Sequence, residues 1–247
     1  MQGADKRVFN HFVAIGGNME ERRIVGNAKI RHKKPAIPKE IIESTEPELP
    51  ALTVQLMSCS RSGDNEGIER LLNDCADVNA KDGDGMAALH FAAKKGNTET
   101  CALLLEKGAD INARNKRNET ALHWTGWGGN DQTSALLLRE YAKTGGDAKD
   151  YIAAKNDHGS TALHYAARYG YTKICELLVE EYAKAGGNVR KLIAEKTKED
   201  NTPLHFAAIS GNPETERFLM SVKMLVRMAD NELMGSFIAS FRECVSQ

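Results

Sequence analysis

Residues 86–97 read MAALHFAAKKGN, and three later segments repeat the same pattern. These are ETALHWTGWGGN at 119–130, STALHYAARYGY at 160–171 and NTPLHFAAISGN at 201–212. The shared histidines, spaced 33, 41 and 41 residues apart, are His90, His123, His164 and His205. A second stretch with helical apolar periodicity follows each segment, as in TETCALLLEKG after the first. Recurrence at this period predicts a chain built from similar structural units.

Each unit is predicted to contain two short helices followed by a polar hairpin. Threonine precedes the first helix at Thr120, Thr161 and Thr202, where a hydroxyl can cap the unpaired amides of the first turn. A glycine that can adopt the left-handed conformation ends this helix at Gly96, Gly129, Gly170 and Gly211. One pair of short helices cannot bury its apolar face, so neighbouring units must stack into a solenoid.

Two further features extend the pattern. A weaker copy lies at 52–81, with Met57 at the histidine position. The third and fourth units carry the same eight-residue extension, seen in EYAKTGGDAKDYIAAK at 140–155 and EYAKAGGNVRKLIAEK at 181–196. We expect a lengthened second helix, a Gly-Gly break and one extra helical turn near Tyr151 or Leu192.

These residues resemble the ankyrin repeat family. The Thr/Pro-Leu-His helix start, the Ala-Ala pair, the closing glycine and the Leu-Leu pair recur in order, and a Gly-Ala-Asp-Ile-Asn-Ala tail follows at 108–113 with the related Ala-Asp-Val-Asn-Ala at 76–80. The resemblance covers five repeats at 52–222 and implies an all-α solenoid of helix–turn–helix units with projecting hairpins and a curved groove. The resemblance also implies a binding module rather than an enzyme. It further implies a structural role for the repeated histidine, which in this family hydrogen-bonds the backbone of the hairpin.

The two ends of the chain differ from the repeats. Residues 1–50 are expected to form a flexible arm, because four of the six prolines lie at 35–50 and the charge is segregated. The basic cluster KIRHKKP at 29–35 is interpreted as a solvated tail, and the alternatives are a nuclear-import signal, a nucleic-acid contact or an anionic-membrane contact. Residues 223–247, which include Phe237, Ile238 and Phe241, are expected to form helices that cap the last repeat.

Composition and motifs argue against catalysis, cofactor binding and metal binding. The formal net charge of −1 does not favour a whole-protein clamp on nucleic acid. The five cysteines are odd in number and widely spaced, as expected for reduced thiols, and no phosphate loop, nucleophile elbow or CxxC pair occurs. No stretch resembles a signal peptide or a membrane span. We therefore expect a monomeric cytoplasmic protein without a small-molecule substrate, with the nucleus or delivery into a host cell as alternatives.

The groove-facing positions of the first helices are the candidate binding site. Across five repeats these are Arg61-Ser62, Lys94-Lys95, Trp127-Gly128, Arg168-Tyr169 and Ile209-Ser210. Four of the ten positions are basic and none is acidic, although residues from 50 onward hold 24 Lys and Arg against 27 Asp and Glu. A basic groove with Trp127 and Tyr169 as anchors would suit an acidic or phosphorylated segment of a partner protein. The alternative is a solvated surface without a partner. Trp124, by contrast, is predicted to pack in the core.

Two further expectations concern the hairpins and the ends. Lys116 and Arg117 at a hairpin tip would extend the basic groove. A second hypothesis makes the protein a regulatory adaptor or inhibitor, in which the amino-terminal arm or the carboxy-terminal helices act on the docked partner. Deletion of residues 1–49 would distinguish the two, because docking alone should survive that deletion.

Overall fold

A computed structural model describes residues 51–228, and these residues form twelve α-helices and no β-strand. The helices are α1 (Ala51–Ser62), α2 (Asn65–Asn73), α3 (Ala88–Lys95), α4 (Thr98–Glu106), α5 (Ala121–Gly128), α6 (Asp131–Lys143), α7 (Ala148–Ile152), α8 (Ala162–Arg168), α9 (Thr172–Lys184), α10 (Val189–Ala194), α11 (Pro203–Ser210) and α12 (Pro213–Met228). The arm at 1–50 and the segment at 229–247 lie outside the described residues.

Ten of these helices form five pairs that stack side by side. The first helices α1, α3, α5, α8 and α11 contact one another in sequence order, and the second helices α2, α4, α6, α9 and α12 form a parallel row behind them. Each first helix is short because a left-handed glycine ends it, as at Gly96, where φ is +73°. The fold is therefore the all-α solenoid that the repeats predict.

A continuous core runs between the two rows of helices. Its fully buried members include Leu56, Leu89, Leu122 and Leu163 on the first helices, and Leu104, Leu137, Leu178 and Phe218 on the second helices. The Leu-His and Leu-Leu pairs supply most of these side chains at the same register, with Leu56 before Met57 in the first repeat and Phe218 in the fifth. Burial of aliphatic side chains against the neighbouring repeat is the main force that holds the units together.

The histidines tie each repeat to the next. The backbone N–H of Thr120 donates to Nδ1 of His123 at 3.2 Å, and the Thr120 hydroxyl lies 2.9 Å from the same nitrogen. On its other side the ring faces the next repeat, with Nε2 3.2 Å from the Ser160 carbonyl oxygen. His90 and His164 make the same bond to the carbonyls of Glu119 and Glu195. The histidines thus complete the helix caps and bond the hairpin backbone.

Asparagines and hairpin tips add two more ladders between repeats. The side-chain amide of Asn97 donates to the Ser60 carbonyl at 3.0 Å, and Asn212 donates to the Gly170 carbonyl at 2.9 Å. At the tips the backbone N–H of one hairpin donates to a carbonyl of the preceding one, at 2.9 Å for each bond. The three pairs are Lys116 to Asp84, Asp157 to Arg117, and Lys198 to His158. Polar backbone that would be exposed in one repeat is therefore paired by its neighbour.

The eight-residue extensions add a short helix to the third and fourth repeats. The second helices α6 and α9 have 13 residues, against nine in α4, and a Gly-Gly pair separates them from α7 and α10. The second glycine accommodates an aromatic ring, because a Cβ on Gly146 would lie 2.3 Å from the Tyr141 ring and one on Gly187 2.4 Å from Tyr182. The tyrosine of EYAK and the second glycine thus form one packing unit, and Tyr141 also stacks on Tyr151 at 4.5 Å.

The second helix of the fifth repeat, with 16 residues, is longer than the second helix of any other described repeat. α12 runs without a break through Val222 to Met228, so the boundary drawn after residue 222 falls inside a helix. Residues 223–228 therefore continue the second helix of the fifth repeat. The rest of the expected capping segment lies outside the described residues.

Candidate functional site

The candidate site lies on the ends of the first helices, where successive repeats present their last turns side by side. We call this surface the groove face and define it by Arg61, Lys94, Lys95, Trp127, Arg168, Tyr169 and Ile209. The closing glycine holds the end of each first helix at the same place in the stack, so side chains just before it form a row. Arg61, Lys95, Tyr169 and Ile209 are exposed, whereas Lys94, Trp127 and Arg168 are partly buried.

Cations of the groove face lie on aromatic rings of the next repeat. The guanidinium carbon of Arg61 is 4.6 Å from the centre of the Phe91 ring, and that of Arg168 is 5.6 Å from the Phe206 ring. Attraction between a cation and an aromatic face contributes about 0.5–1 kcal/mol at exposed positions. These contacts favour one orientation of each long side chain along the stack.

Lys94 occupies the centre of this row. Its ammonium nitrogen lies 4.1 Å from the centre of the Trp127 ring and 4.8 Å from the Trp124 ring. Burial lowers the pKa of Lys94 below its usual value, and the nearby charges of Lys95 and Arg61 act in the same direction. The ammonium is therefore partly dehydrated, and an anion that met it would compete with less bound water.

Three aromatic rings continue from Lys94 into the fourth repeat. Trp124 and Trp127 meet edge to face at 5.9 Å, and Trp127 meets Tyr169 in the same manner at 5.7 Å. Tyr169 is 41% exposed, and burial of the rest of its ring raises the pKa of its phenol. Edge-to-face pairs resist rearrangement, so the three rings form a fixed and partly exposed apolar cluster.

Trp124 packs against the core, as its position in the repeat predicts, and it also contacts Lys94 and Trp127 of the groove face. Its ring contacts the core but is only partly buried, and it forms the floor beneath Lys94 and Trp127. The same segment also departs from the Ala-Ala pair, with Thr125 in place of the first alanine and Gly126 in place of the second. A Cβ on Gly126 would lie 2.7 Å from the Ala162 carbonyl oxygen, so glycine lets α5 and α8 approach more closely than an alanine would.

Glu119 is a buried acid near the groove face. Its role was not among the predictions from the sequence. Its carboxylate accepts hydrogen bonds from the Tyr165 hydroxyl at 2.5 Å and from the Asn115 amide at 2.7 Å. The side chain is 3% exposed, and its charge raises the pKa of Lys94. The positions equivalent to Glu119 in the other repeats are Met86, Ser160 and Asn201. Alignment of the repeats shows an acid at this position in the third repeat alone, and that difference is the signal in the sequence.

The hairpin residues Lys116 and Arg117 precede Glu119 in the chain by three and two positions. They are part of the hairpin tip and not of a first helix. Lys116 is exposed, and Arg117 is partly buried. Their backbone groups belong to the tip ladder, where Lys116 donates to Asp84 and Arg117 accepts from Asp157. The tip thus holds two basic side chains at a fixed place in the stack, and the positive charge of Arg117 lowers the pKa of Lys94.

The four cysteines among residues 51–228 differ in burial, and Cys59 is partly exposed. Cys101 and Cys175 are buried in the core, and burial raises the pKa of both thiols. Cys75 is exposed with a φ of +67°, at the position where the next repeat has Gly108 at +90°. Over residues 51–228 the structure holds no group of three or more His, Cys, Asp or Glu side chains placed to bind a metal ion. Within the same residues, no helix combines the length and the apolar composition that crossing a membrane requires.

Comparison with known proteins agrees with this architecture. A family model of three ankyrin repeats matches residues 56–150 and again residues 148–230. No curated protein matches the sequence. Members of that family typically bind other proteins and are typically not enzymes. The two matches together span well over half of the 247 residues. That match agrees with the stacked helix pairs, the histidines that complete the helix caps, and the hydrogen-bonded hairpins. The chain belongs to the ankyrin repeat family.

Proposed function

We propose that the groove face binds a partner protein through an acidic or phosphorylated segment, without catalysis. The observation that carries the proposal is Lys94, whose ammonium lies 4.1 Å above Trp127 beside an exposed Tyr169. A carboxylate or phosphate could bond the ammonium while the neighbouring apolar part of the segment packed on the two rings. Pairing of a charged group with adjacent aromatic anchors is the arrangement found at binding hot spots.

The rigidity of the row supports affinity. Arg61, Lys94 and Arg168 already lie on rings of the next repeat, so part of the side-chain freedom that binding would remove is lost beforehand. The buried Glu119 partly offsets the positive charge from behind, which favours a segment of limited negative charge over a long polyanion such as nucleic acid. Lys95 and the tip residues Lys116 and Arg117 would contact the flanks of the segment.

The test uses a library of acidic and phosphorylated peptides, with binding followed by fluorescence polarisation. We expect Lys94→Glu to lower the affinity for the tightest-binding peptide by at least tenfold, and Trp127→Ala to lower it by about the same factor. Each change corresponds to a loss of roughly 1.4 kcal/mol or more of binding free energy. Binding to the wild type should fall as salt is raised, because part of the attraction is screened.

Lys173→Glu is the matched control, since Lys173 is an exposed lysine on the second helix α9, away from the groove face. This variant should bind as the wild type does. Circular dichroism should show that all three variants remain helical. Retained affinity in both Lys94→Glu and Trp127→Ala would refute binding at this face.

The regulatory hypothesis depends on residues 1–50 and on the carboxy-terminal segment. The arm lies outside the described residues, so it gains no support from the contacts above. Docking through the groove face is the function that those contacts favour.

A further inference from the structure

Three cations of the groove face share one contact rule. Each follows the histidine position of its own repeat by four residues, and its charged group lies on the ring that follows the histidine of the next repeat. The three pairs are Arg61 on Phe91, Lys94 on Trp124 and Arg168 on Phe206, at 4.6, 4.8 and 5.6 Å from the cation to the ring centre. The positive charges of the first, second and fourth repeats therefore lie at equivalent places in the stack.

The third and fifth repeats interrupt this row of charges with apolar side chains. The same position holds Trp127 in the third repeat, whose ring meets Tyr169 edge to face at 5.7 Å. The ring that would accept a cation there, Tyr165, instead donates its hydroxyl to the buried Glu119 carboxylate. In the fifth repeat the position holds Ile209, which is 59% exposed. Along the stack the order is thus cation, cation, aromatic, cation, aliphatic, and it differs when it is read from the opposite end.

One step of this order equals the separation of neighbouring first helices. These helices contact one another in chain order, and helices in contact lie about 8–10 Å apart. Around the third repeat the approach is close. A Cβ on Gly128 would clash with the carbonyl oxygen of Lys94 on α3, and on the other side of α5 a Cβ on Gly126 would clash with a carbonyl oxygen of α8. A bound segment must therefore advance about 9 Å for each repeat and present a side chain on the same side each time.

The polyproline II helix meets both conditions. It has three residues per turn and a rise of about 3.1 Å per residue, so every third side chain points the same way after an advance of about 9.3 Å. In a β-strand, residues three apart face opposite sides. An α-helix returns to the same side after about seven residues and about 10.5 Å, which exceeds the separation of helices in contact. Residues 51–228 contain no strand whose edge could pair with a bound segment, and a polyproline II helix leaves its backbone groups to water.

We infer that the partner segment lies along the groove face as a polyproline II helix, an inference that rests on the function proposed above. Its residues at every third position follow the order acid, acid, apolar, acid, apolar. The three acids, as carboxylates or phosphates, face Arg61, Lys94 and Arg168. The two apolar residues face Trp127 and Ile209. A partner is thus selected by the order and spacing of its side chains and not by negative charge alone.

Synthetic peptides of equal length and composition test the spacing. One pair carries the five residues at every third position, in the stated order or in reverse, and two more peptides place them at every second or every seventh position. We expect one peptide of the pair to bind the full-length protein at least tenfold more tightly than the peptides with other spacings, as measured by fluorescence polarisation. Proline at the intervening positions should raise its affinity severalfold and glycine should lower it, because proline presets the bound conformation.

Exchange of charge between protein and peptide tests the register. Arg61→Glu and Arg168→Glu should each lower the affinity for the tightest-binding peptide at least tenfold, while circular dichroism shows that both variants remain helical. Lysine in place of the peptide acid that faces the mutated position should restore binding, and lysine in place of the acid that faces the other arginine should not. Lys173→Glu, at an exposed position of α9, is the matched control and should leave the affinity for every peptide unchanged.

Three results would overturn the inference. Equal affinity at every spacing, with binding still lost in Trp127→Ala, would mean that charge and rings suffice without any order, and the proposed function would stand by itself. Tightest binding at the seven-residue spacing would assign an α-helical segment to the groove face. Binding by none of the acidic peptides would refute the proposed function and this inference with it.

Discussion

Each buried histidine joins two repeats through a ring whose two nitrogens have fixed roles. In His123, Nε2 faces the Ser160 carbonyl oxygen, so that nitrogen carries the proton, and Nδ1 accepts from the Thr120 backbone. Protonation of Nδ1 would abolish the bond it accepts and place a charge in the core. Burial accordingly lowers the pKa of His123 and of His164 to about 4.

The lowered pKa makes stability depend on pH in a defined direction. In the unfolded chain a histidine takes up its proton near pH 6.5, whereas in the fold His123 and His164 do so only near pH 4. The unfolded state therefore binds more protons between these values, and the free energy of unfolding should fall as the pH decreases from about 6.5 to 4. Above pH 6.5 the contribution of these histidines is fully present.

We expect His123→Gln to lower the free energy of unfolding at pH 7.5 by about 1–3 kcal/mol, because buried partners lose a bond. The same variant should show a weaker decrease in stability between pH 6.5 and 4 than the wild type. Urea denaturation at a series of pH values measures both effects. His205→Gln serves as the comparison, since its ring is exposed, and it should cost less at pH 7.5. An equal acid dependence in wild type and His123→Gln would contradict this account.

At the scale of the helices, the second row supplies much of the buried aliphatic surface. Leu104 on α4 is 0% exposed and belongs to the continuous core, whereas its neighbour Leu105 is only partly buried. Two leucines in sequence thus face different surroundings on the same helix. This contrast allows the cost of a core truncation to be separated from a change in helix propensity.

We expect Leu104→Ala to lower the free energy of unfolding by about 2–5 kcal/mol, because a fully buried leucine leaves a cavity in the middle of the stack. Leu105→Ala should cost less than half as much, since part of its side chain is already in water. Chemical denaturation followed by circular dichroism measures both losses. If the two variants lost the same stability, the orientation of α4 would be wrong.

The extended repeats show how an insertion can be absorbed between elements. Gly146 and Gly187 allow the rings of Tyr141 and Tyr182 to lie against the backbone, and α7 and α10 then bury Ile152 and Leu192 in the core. The hairpin tips remain paired across both insertions. The longer spacing of 41 residues therefore leaves the stacking of the first helices unchanged.

Across the whole described solenoid, one core cluster extends from Leu56 on α1 to Val226 on α12. Every repeat contributes to it, and the histidine, asparagine and hairpin bonds follow the same order along the stack. No repeat has a separate core among residues 51–228, so the units should lose their structure together.

Both tryptophans lie in the third repeat, whereas helicity is distributed over all five. We expect urea denaturation followed by tryptophan fluorescence and by far-ultraviolet circular dichroism to give the same midpoint, because the shared core couples the repeats. Leu104→Ala, in the second repeat, should shift both midpoints by the same amount. Two separated midpoints would show that the stack divides into independently unfolding parts.

The sequence alone determined the repeat fold, because its evidence is local and recurs. The Leu-His pair, the closing glycine and the Leu-Leu pair each specify a cap, a helix end or a buried face within a few residues. The extra turn in the third and fourth repeats could be predicted for the same reason, since EYAK, Gly-Gly and the following apolar pair occur twice. The row of groove-facing residues followed from their common register, while its role in binding stays a prediction.

Only the tertiary structure decided which side chains meet across repeats. Lys94 lies on the rings of Trp124 and Trp127, and the Glu119 carboxylate accepts from Tyr165, 46 residues further along the chain. Such contacts depend on the distance and rotation between stacked units, to which side-chain packing of every layer contributes. No local pattern fixes them, because the partners belong to different repeats and are positioned by the stack as a whole.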